Sequence, residues 1–570
     1  MNVLLVGVNA KYIHSNLAVR YLKAYTKDMD YNCDIVEFSV NDRVERIVEE
    51  IMERKPRILG FSCYIWNSEY ITKISTLIKK IDDSIDIFYG GPEVSYDSES
   101  FLKANYGEYV IEGEGEETYR EFIKNKISEY KNEEVNYKNI RGLYSKENGE
   151  IYYGGSRPLM DMNKIVFPYE EGEDLSYKIV YYEASRGCPF KCKYCLSSTS
   201  HGVRFIDIEK VKKDLKYFVD KKVKLVKFVD RTFNCNERFA NEIWNYLIDL
   251  GGETRFHFEI SADLLRDKSI KTLSRAKEGL FQFEIGVQTT NDEVLKNINR
   301  NVNFSTIKEK VEELKCLKNI MQHLDLIAGL PGEDFNSFKK SFNDVYSIAP
   351  DELQLGFLKL LKGSSMREEA ELWGMKYSPY PPYEVLKTKN ISYDELILLK
   401  NIEHMVDKYL NSKKFNNILN YFIKNNNFFD TPFDFYEQLS LFYKEKGYFK
   451  RNISSSEYYK VFFDFNNEIL RVDDKLLCDL IKFDYLTYNK KRGIPNFIYR
   501  EGEKNVEKQI KEKLIENNLI KSSNDVHIEK FTYDLNQYFV NNLVVEKDFY
   551  VCFYNNSNKI LMDAGKYLKN

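Results

Sequence analysis

Over the first 125 residues, short apolar runs alternate with amphipathic stretches. The runs at 2–8, 33–39, 57–63, 86–90 and 108–112 predict strands, with helices between them. That order predicts a five-stranded parallel α/β sheet, a Rossmann-like domain whose ligand-binding loops lie at the carboxyl edge. Those loops are Asn9 to Asn16, Ser62 to Ser68, Gly90-Gly91-Pro92-Glu93 and Gly113-Glu114-Gly115-Glu116. From 131 to 175 the chain becomes rich in Lys, Glu and Asn. It predicts a linker with a small hairpin turning at Asn148-Gly149.

From 176 to 368 a strand-then-helix unit recurs, with strands near 179–185, 224–230, 255–261, 282–288, 322–328 and 352–359. The intervening helices show the expected spacing, as in Val211, Leu215 and Phe218, or Phe239, Ile243, Leu247 and Leu250. Six such units predict a partial (β/α)6 barrel with its chemistry at the carboxyl ends of the strands. A second doubly wound sheet is the competing reading. The region 369–570 turns mostly helical, as in Tyr393 to Leu410, and closes with extended runs near 526–533 and 547–562 that turn at Asn555 to Asn558. The Lys490-Lys491-Arg492 run reads as solvated surface.

A chain of 570 residues is too long for one core, so the pattern is read as domains at 1–130 and 176–368, a linker at 131–175, and a C-terminal domain at 369–570. A net charge of −4 leaves no electrostatic footprint for nucleic acid. The start, Met1-Asn2-Val3-Leu4-Leu5-Val6-Gly7, lacks a basic region and is too short for a signal or transmembrane segment, so a cytoplasmic setting is expected. The cysteines number nine, an odd count, and three of them crowd together. Metal binding is therefore favoured over a disulfide framework.

Those three are Cys188, Cys192 and Cys195, in Glu183-Ala184-Ser185-Arg186-Gly187-Cys188-Pro189-Phe190-Lys191-Cys192-Lys193-Tyr194-Cys195, directly after the first strand of the six-unit segment. Three thiolates on one tight loop can ligate three irons of a [4Fe–4S] cluster and leave the fourth open to an outside ligand. A closed zinc site would need a fourth protein ligand, and Cys235 is the one candidate nearby in sequence.

The stretch resembles the radical S-adenosylmethionine (SAM) superfamily, whose hallmark is CxxxCxxC with an aromatic residue before the last Cys, here Tyr194. The resemblance implies an oxygen-sensitive cluster, SAM bound at the open iron, its reductive cleavage to a hydrogen-abstracting radical, and an electron donor such as flavodoxin or ferredoxin. In such proteins the cofactors carry the hard chemistry. Glu259, Gln288, Arg300 and Asp325 fall where the coproporphyrinogen-dehydrogenase-like branch keeps its SAM contacts. Carboxylates there would accept from ribose hydroxyls, and Arg would pair with the methionine carboxylate. Asp230 and Arg231, ending the second strand, face the same mouth and are candidates to meet SAM or substrate.

The first 125 residues resemble the cobalamin-binding domain found upstream of many radical SAM barrels. The matching features are the strand ending at Gly7, the helix start at Ser15-Asn16-Leu17, Gly60-Phe61-Ser62, Gly90-Gly91-Pro92-Glu93 and Gly113-Glu114-Gly115-Glu116. Paired glycines let backbone approach a bulky cofactor, and helix starts offer unpaired N–H donors. On this resemblance Tyr12, His14, Ser15, Asn16, Ser62, Gly90, Gly91, Pro92, Glu93, Gly113 and Glu114 are the candidate cobalamin contacts.

One departure matters. Many such domains place DxHxxG after the first strand so that an imidazole ligates cobalt, but here Tyr12 stands at the Asp position and Leu17 at the Gly position around His14. Cobalamin with its base displaced and no protein imidazole on cobalt is expected. A methylthiotransferase would need three more cluster cysteines in this region, which has only Cys33 and Cys63.

The chain as a whole resembles cobalamin-binding radical SAM proteins with a C-terminal domain of unknown function. The resemblance implies a methyltransferase acting on an unactivated carbon. A radical cyclisation or rearrangement enzyme is the alternative, and a non-catalytic cobalamin- or redox-binding protein the lesser one. The substrate is not legible.

Overall fold

A computed structural model describes residues 1–199, 202–425, 428–472, 475–489, 494–498, 502, 504–555, 557 and 559–568. The Lys490-Lys491-Arg492 run and part of the turn expected at Asn555 to Asn558 lie outside the described residues. The chain forms two compact units, Met1–Ser341 with Leu355–Leu396, and Phe342–Gln354 with Ile397–Asn570. Residues 369–396 thus group with the first unit.

In the first unit, the front sheet contains β1 (Asn2–Asn9), β2 (Asn32–Ser39), β3 (Ile58–Ser62), β4 (Asp86–Gly90), β5 (Tyr109–Ile111), β6 (Leu143–Glu147) and β7 (Glu150–Tyr153), in the order β2-β1-β3-β4-β5-β6-β7. The first five strands are parallel. Strand β1 is apolar on both faces because both faces are covered. Leu4, Val6 and Val8 pack with Ile47, Ile51, Ile71 and Ile74, while Val3 and Leu5 pack with Val19, Tyr119 and Phe122. The predicted hairpin is present, with Asn148 and Gly149 at φ 51° and 85° as a two-residue turn requires. Instead of standing apart in a linker, it adds two antiparallel strands to the front sheet through β5.

The second sheet begins with β8 (Ile179–Tyr182). A short antiparallel pair, β9 (Ser185–Arg186) and β10 (Arg204–Phe205), then brackets the cysteine loop. Strands β11 (Leu225–Phe228), β12 (Arg255–Ile260), β13 (Phe281–Gln288), β14 (Ile320–Ala328) and β15 (Glu352–Phe357) follow in sequential order from β8. This is the arrangement of an open partial barrel, not a doubly wound sheet, which would reverse its strand order at a switch point. Strict alternation in β13 shows how the sequence builds it. Phe281, Phe283, Ile285 and Val287 are buried, with Phe283 against Trp244 of the helix Glu237–Leu250. Gln282, Glu284, Gly286 and Gln288 consequently face the lumen. A small antiparallel pair, β16 (Lys376–Tyr377) and β17 (Val385–Lys387), follows.

The second unit is mainly helical around an aromatic core in which Tyr409, Phe422, Tyr436, Phe462 and Phe465 are fully buried. It also carries an antiparallel sheet of β18 (Val526–Tyr533), β19 (Glu546–Tyr554) and β20 (Ile560–Leu561). The extended runs expected at the C-terminal end therefore pair with each other, and the second of them divides in two. No described helix is long and apolar enough to cross a membrane.

Candidate active site at the barrel mouth

The cysteine loop leaves β8 through Gly187, where φ is 103° and a Cβ would meet the Gly202 carbonyl oxygen at 2.1 Å. Only glycine fits there. Backbone and side-chain bonds fix the rest of the loop. Lys193 donates its N–H to Ile298, Met366 donates to Lys193, and Asn299 donates from Nδ2 to the Lys191 carbonyl.

Cys188, Cys192, Tyr194 and Cys195 line a cavity of about 210 Å³ together with Glu259, Glu284, Gln288, Arg300 and Asp325. Cys188 Sγ lies 3.4 Å from Thr232 Oγ1, and Arg300 Nη1 approaches Cys192 Sγ at 4.0 Å. Burial pushes the Cys192 thiol up, while the guanidinium favours its thiolate. Cys235 does not line this cavity, and burial raises its thiol to about 11. Among the described residues no three His, Cys, Asp or Glu side chains gather as ligands of a single ion. A cubane asks for something else, one thiolate at each of three separate irons.

The four further residues expected here do converge on the cavity. Gln288 follows a register shift in β13, adopts φ 71°, and folds back so closely over Gly286 that a Cβ there would meet its Nε2 at 2.0 Å. Arg300 Nη2 donates to the Gly286 carbonyl at 2.5 Å. Gln288 Oε1, Arg300 Nε and Asp325 Oδ1 are buried without hydrogen-bond partners. Such atoms are costly unless a ligand satisfies them. Burial holds the carboxyls of Asp325 and Glu259 above the usual range; Glu284 adds to this at both.

Glu284 itself was not anticipated, although its place in the β13 alternation is visible in sequence. Against the burial that would raise it, His257 at 3.2 Å and Lys227 at 3.2 Å hold it down to about 2. Asp230 does not face the mouth. It is 1% exposed and accepts from the Ala184 N–H and the Ser185 hydroxyl, and burial raises its carboxyl to about 7.

A larger cavity, about 690 Å³, opens at the carboxyl edge of the front sheet. His14, Ser15, Asn16, Ser62, Gly90, Gly91, Pro92, Gly113 and Glu114 all line it. Two candidates do not. Tyr12 is 70% exposed with Lys178 stacked 4.4 Å over its ring, because its loop runs out over the edge of β8. Glu93 turns away from the wall, buried against Lys362 at 3.0 Å and accepting from the Tyr383 hydroxyl.

Around the rest of the wall, Asn16 caps the helix Leu17–Tyr25 through the Val19 N–H and donates to Ser62 Oγ at 2.9 Å. Glu114 is engaged by Arg204 at 2.5 Å. Gly91 is required by the fold, since its φ is 110° and a Cβ would strike the Cys63 carbonyl at 2.6 Å. Gly90 and Gly113 are different. A Cβ at Gly90 would meet nothing closer than 3.7 Å, and one at Gly113 would meet nothing within 4 Å. Those positions leave a cradle that protein atoms do not use.

The other wall of this cavity is the barrel mouth, contributing Tyr181, Glu183, Arg186, Lys227, Val229, Arg231 and Glu259. The two parts are joined by Arg186 to Glu116 at 2.5 Å and by Ile179 N–H to the Ile13 carbonyl at 2.7 Å. Arg231 and Glu259 line both cavities, so the front cavity opens directly onto the cysteine loop.

A three-cysteine loop at the mouth of a six-stranded partial barrel, faced by an α/β domain with an open cradle, defines a radical SAM protein with an upstream cobalamin-type domain. Family models agree: residues 3–123 match the B12 binding domain and residues 182–345 the Radical SAM superfamily, while residues 371–553 match a protein family of unknown function, DUF4080. The chain is thus a B12-binding-domain radical SAM protein with a DUF4080 region.

It is 23% identical over 364 residues to the cobalamin-dependent radical SAM methyltransferase TokK of Streptomyces tokunonensis, covering 60% of this chain and 52% of that protein. It is 25% identical over 320 residues to 2-(S-pantetheinyl)-carbapenam-3-carboxylate methyltransferase of Streptantibioticus cattleyicolor, covering 52% and 46%. The chain spans about half the length of these curated relatives. In fold it is similar to the cobalamin-dependent SAM radical enzyme OxsB solved with aqua-cobalamin and SAM, with a TM-score of 0.59 at 14% identity over 85% of this chain and 78% of that one.

Proposed function

We propose that this protein is a cobalamin-dependent radical SAM methyltransferase that methylates an unactivated carbon. The observation that carries the reading is the shared wall: Arg231 and Glu259 border both the cysteine-loop cavity and the front-domain cavity. A substrate lodged there would be within reach of both cofactor sites. Bound together, a [4Fe–4S] cluster, SAM and cobalamin supply reductive generation of a hydrogen-abstracting radical and a transferable methyl group.

The chain's own residues hold and orient these groups. Cys188, Cys192 and Cys195 would seat the cluster, with Tyr194 beside it. The unpartnered Gln288, Arg300 and Asp325 atoms fit the polar methionine and ribose ends of SAM, and Glu259 fits a ribose hydroxyl. His14, Ser15, Asn16, Ser62, Gly90, Gly91, Pro92, Gly113 and Glu114 would form the cobalamin cradle, in which the absence of Cβ atoms at Gly90 and Gly113 leaves room for close approach. An electron donor of the flavodoxin or ferredoxin type is required.

The test is anaerobic assay of the reconstituted protein with a reductant. Formation of both deoxyadenosine and S-adenosylhomocysteine with a methylated product is the expected result. Deoxyadenosine that never accompanies methylation of any accepted substrate would overturn the methyltransferase assignment.

A further inference from the structure

The segment Asp230-Arg231-Thr232-Phe233-Asn234 crosses the junction of the two cavities. Four of its side chains are locked inside: Asp230, Thr232, Phe233 and Asn234 are 1%, 7%, 1% and 4% exposed. Asp230 is held by Ala184 and Ser185, and Asn234 exchanges hydrogen bonds with the backbone of Ser261. Arg231 alone is thrown outward, with 56% of its side chain exposed, and it projects into both cavities.

Of the other cations of the two walls, Arg186 and Lys227 are paired with carboxylates, and Arg300 lies over the cysteine loop, near Cys192, with its Nε unpartnered. Arg186 binds Glu116 and Glu183 at 2.5 and 2.9 Å, Lys227 binds Glu284 at 3.2 Å, and Arg300 donates to the Gly286 carbonyl at 2.5 Å. The one carboxylate within 4 Å of Arg231 among the described residues is Glu259, at 3.7 Å and beyond hydrogen-bonding distance; Glu183, Glu284 and Cys195 act on it from farther off, and among the described residues its guanidinium donates no hydrogen bond. A rigid backbone thus presents an unspent planar fork of donors, the geometry that takes a carboxylate or phosphate through two parallel bonds.

We infer that Arg231 is the anion anchor of the substrate site, so that the substrate carries a carboxylate or phosphate group held at the junction of the two cavities. This rests on the functional reading above for what "substrate" means, but the anion site itself does not. Glu259 beside it leaves one face of the guanidinium partly neutralised and favours a single oxyanion over a polyanion.

The test is equilibrium dialysis of the full-length, cluster-reconstituted, cobalamin-loaded protein against labelled inorganic phosphate in one arm and labelled acetate in another, each with and without saturating SAM. The expected result is saturable binding of one anion that persists with SAM. It should be at least tenfold weaker in Arg231→Gln, with Arg231→Lys falling between the two because an ammonium keeps the charge and loses the fork, and the tighter anion identifies the group. Absence of saturable binding for both anions, or equal binding in a folded Arg231→Gln protein, overturns the inference. So does displacement by SAM, which would give the guanidinium to the methionine carboxylate instead. Reductive SAM cleavage measured on the same preparation keeps the two claims apart, since its absence would sink the functional reading while leaving the anion measurements to stand.

Discussion

Polar side chains dominate the cavity around the cysteine loop, whereas backbone and small residues shape much of the cavity in the front domain. The first wall holds three thiols and the unpartnered polar atoms of Gln288, Arg300 and Asp325. In the second, Asn16 and Ser62 bond to each other, Glu114 is engaged by Arg204, and Gly90 and Gly113 contribute open space. On the proposed function, the difference follows from what each would hold. A cubane and a small zwitterion need anionic ligands and charge-assisted bonds, while a large macrocycle needs surface from which side chains have been withdrawn. Substitutions should therefore act oppositely in the two places: removing a side chain is harmful in the first, and adding one is harmful in the second.

The largest effect is expected at the thiols. Each Cys→Ala variant at Cys188, Cys192 or Cys195 should lose most cluster absorbance and all reductive SAM cleavage, because an iron without its anionic ligand leaves the cubane unseated. Full activity in any of the three would refute the assignment. Cys235→Ala, outside the cavity lining, should retain its iron and sulfide content.

Next is the reverse operation. Gly90→Leu adds a side chain where a Cβ meets nothing closer than 3.7 Å, so the fold accepts it and the cradle is filled. Cobalamin retained after reconstitution should fall at least tenfold with little change in melting temperature. Gly91→Ala is the contrast, since its φ of 110° and 2.6 Å approach to the Cys63 carbonyl place the cost in folding. It should destabilise by about 1–3 kcal/mol. If Gly90→Leu binds cobalamin normally, the front cavity is not the cradle.

A smaller effect is expected at Arg300. It keeps one bond to Gly286 and leaves Nε buried and unpaired, so Arg300→Ala should weaken SAM binding by about 1.5–3 kcal/mol, roughly ten- to a hundredfold. Cobalamin retention should hardly change. Unaltered SAM affinity by calorimetry would remove Arg300 from the SAM contacts.

The same contrast governs what could be read from sequence. The strands are legible because their faces are covered: β1 is apolar from Val3 to Val8, and β13 alternates strictly. The cysteine loop was legible because three ligands are contiguous. Tyr12 and Glu93 were misplaced because loop residues flank the cavity without all turning into it, and neither periodicity nor spacing fixes which way a loop side chain points. Asp230 was misplaced for a related reason, since the strand end presents Arg231 and buries its neighbour. The hairpin's turn was visible at Asn148-Gly149, but its pairing with β5 is a long-range choice that local sequence does not encode.

The smallest effect, ideally none, is expected at His14, and it concerns the lower face of cobalt. His14 lines the front cavity, so position alone would allow an imidazole ligand. Its surroundings argue otherwise. Its Nδ1 meets the Tyr181 hydroxyl at 2.6 Å, and the two rings stack at 5.8 Å. A carboxylate in that place would accept the Nδ1 proton, fix the tautomer and raise the basicity of the other nitrogen. Tyr181 is a neutral phenol, its own ionisation pushed up to about 12 by burial, and it can either donate or accept. Burial together with Lys11, Lys227 and Lys178 lowers the basicity of His14 further, which weakens it as a ligand. The residues on either side of it are also tied to the barrel, the Ile13 carbonyl accepting from the Ile179 N–H at 2.7 Å and the Ser15 hydroxyl donating to the Ile179 carbonyl at 3.0 Å. We therefore expect cobalamin bound with its base displaced and no imidazole on cobalt. Electron paramagnetic resonance of the Co(II) protein should show no nitrogen superhyperfine splitting in either the parent or His14→Ala, whereas splitting that disappears in His14→Ala would make His14 the ligand after all.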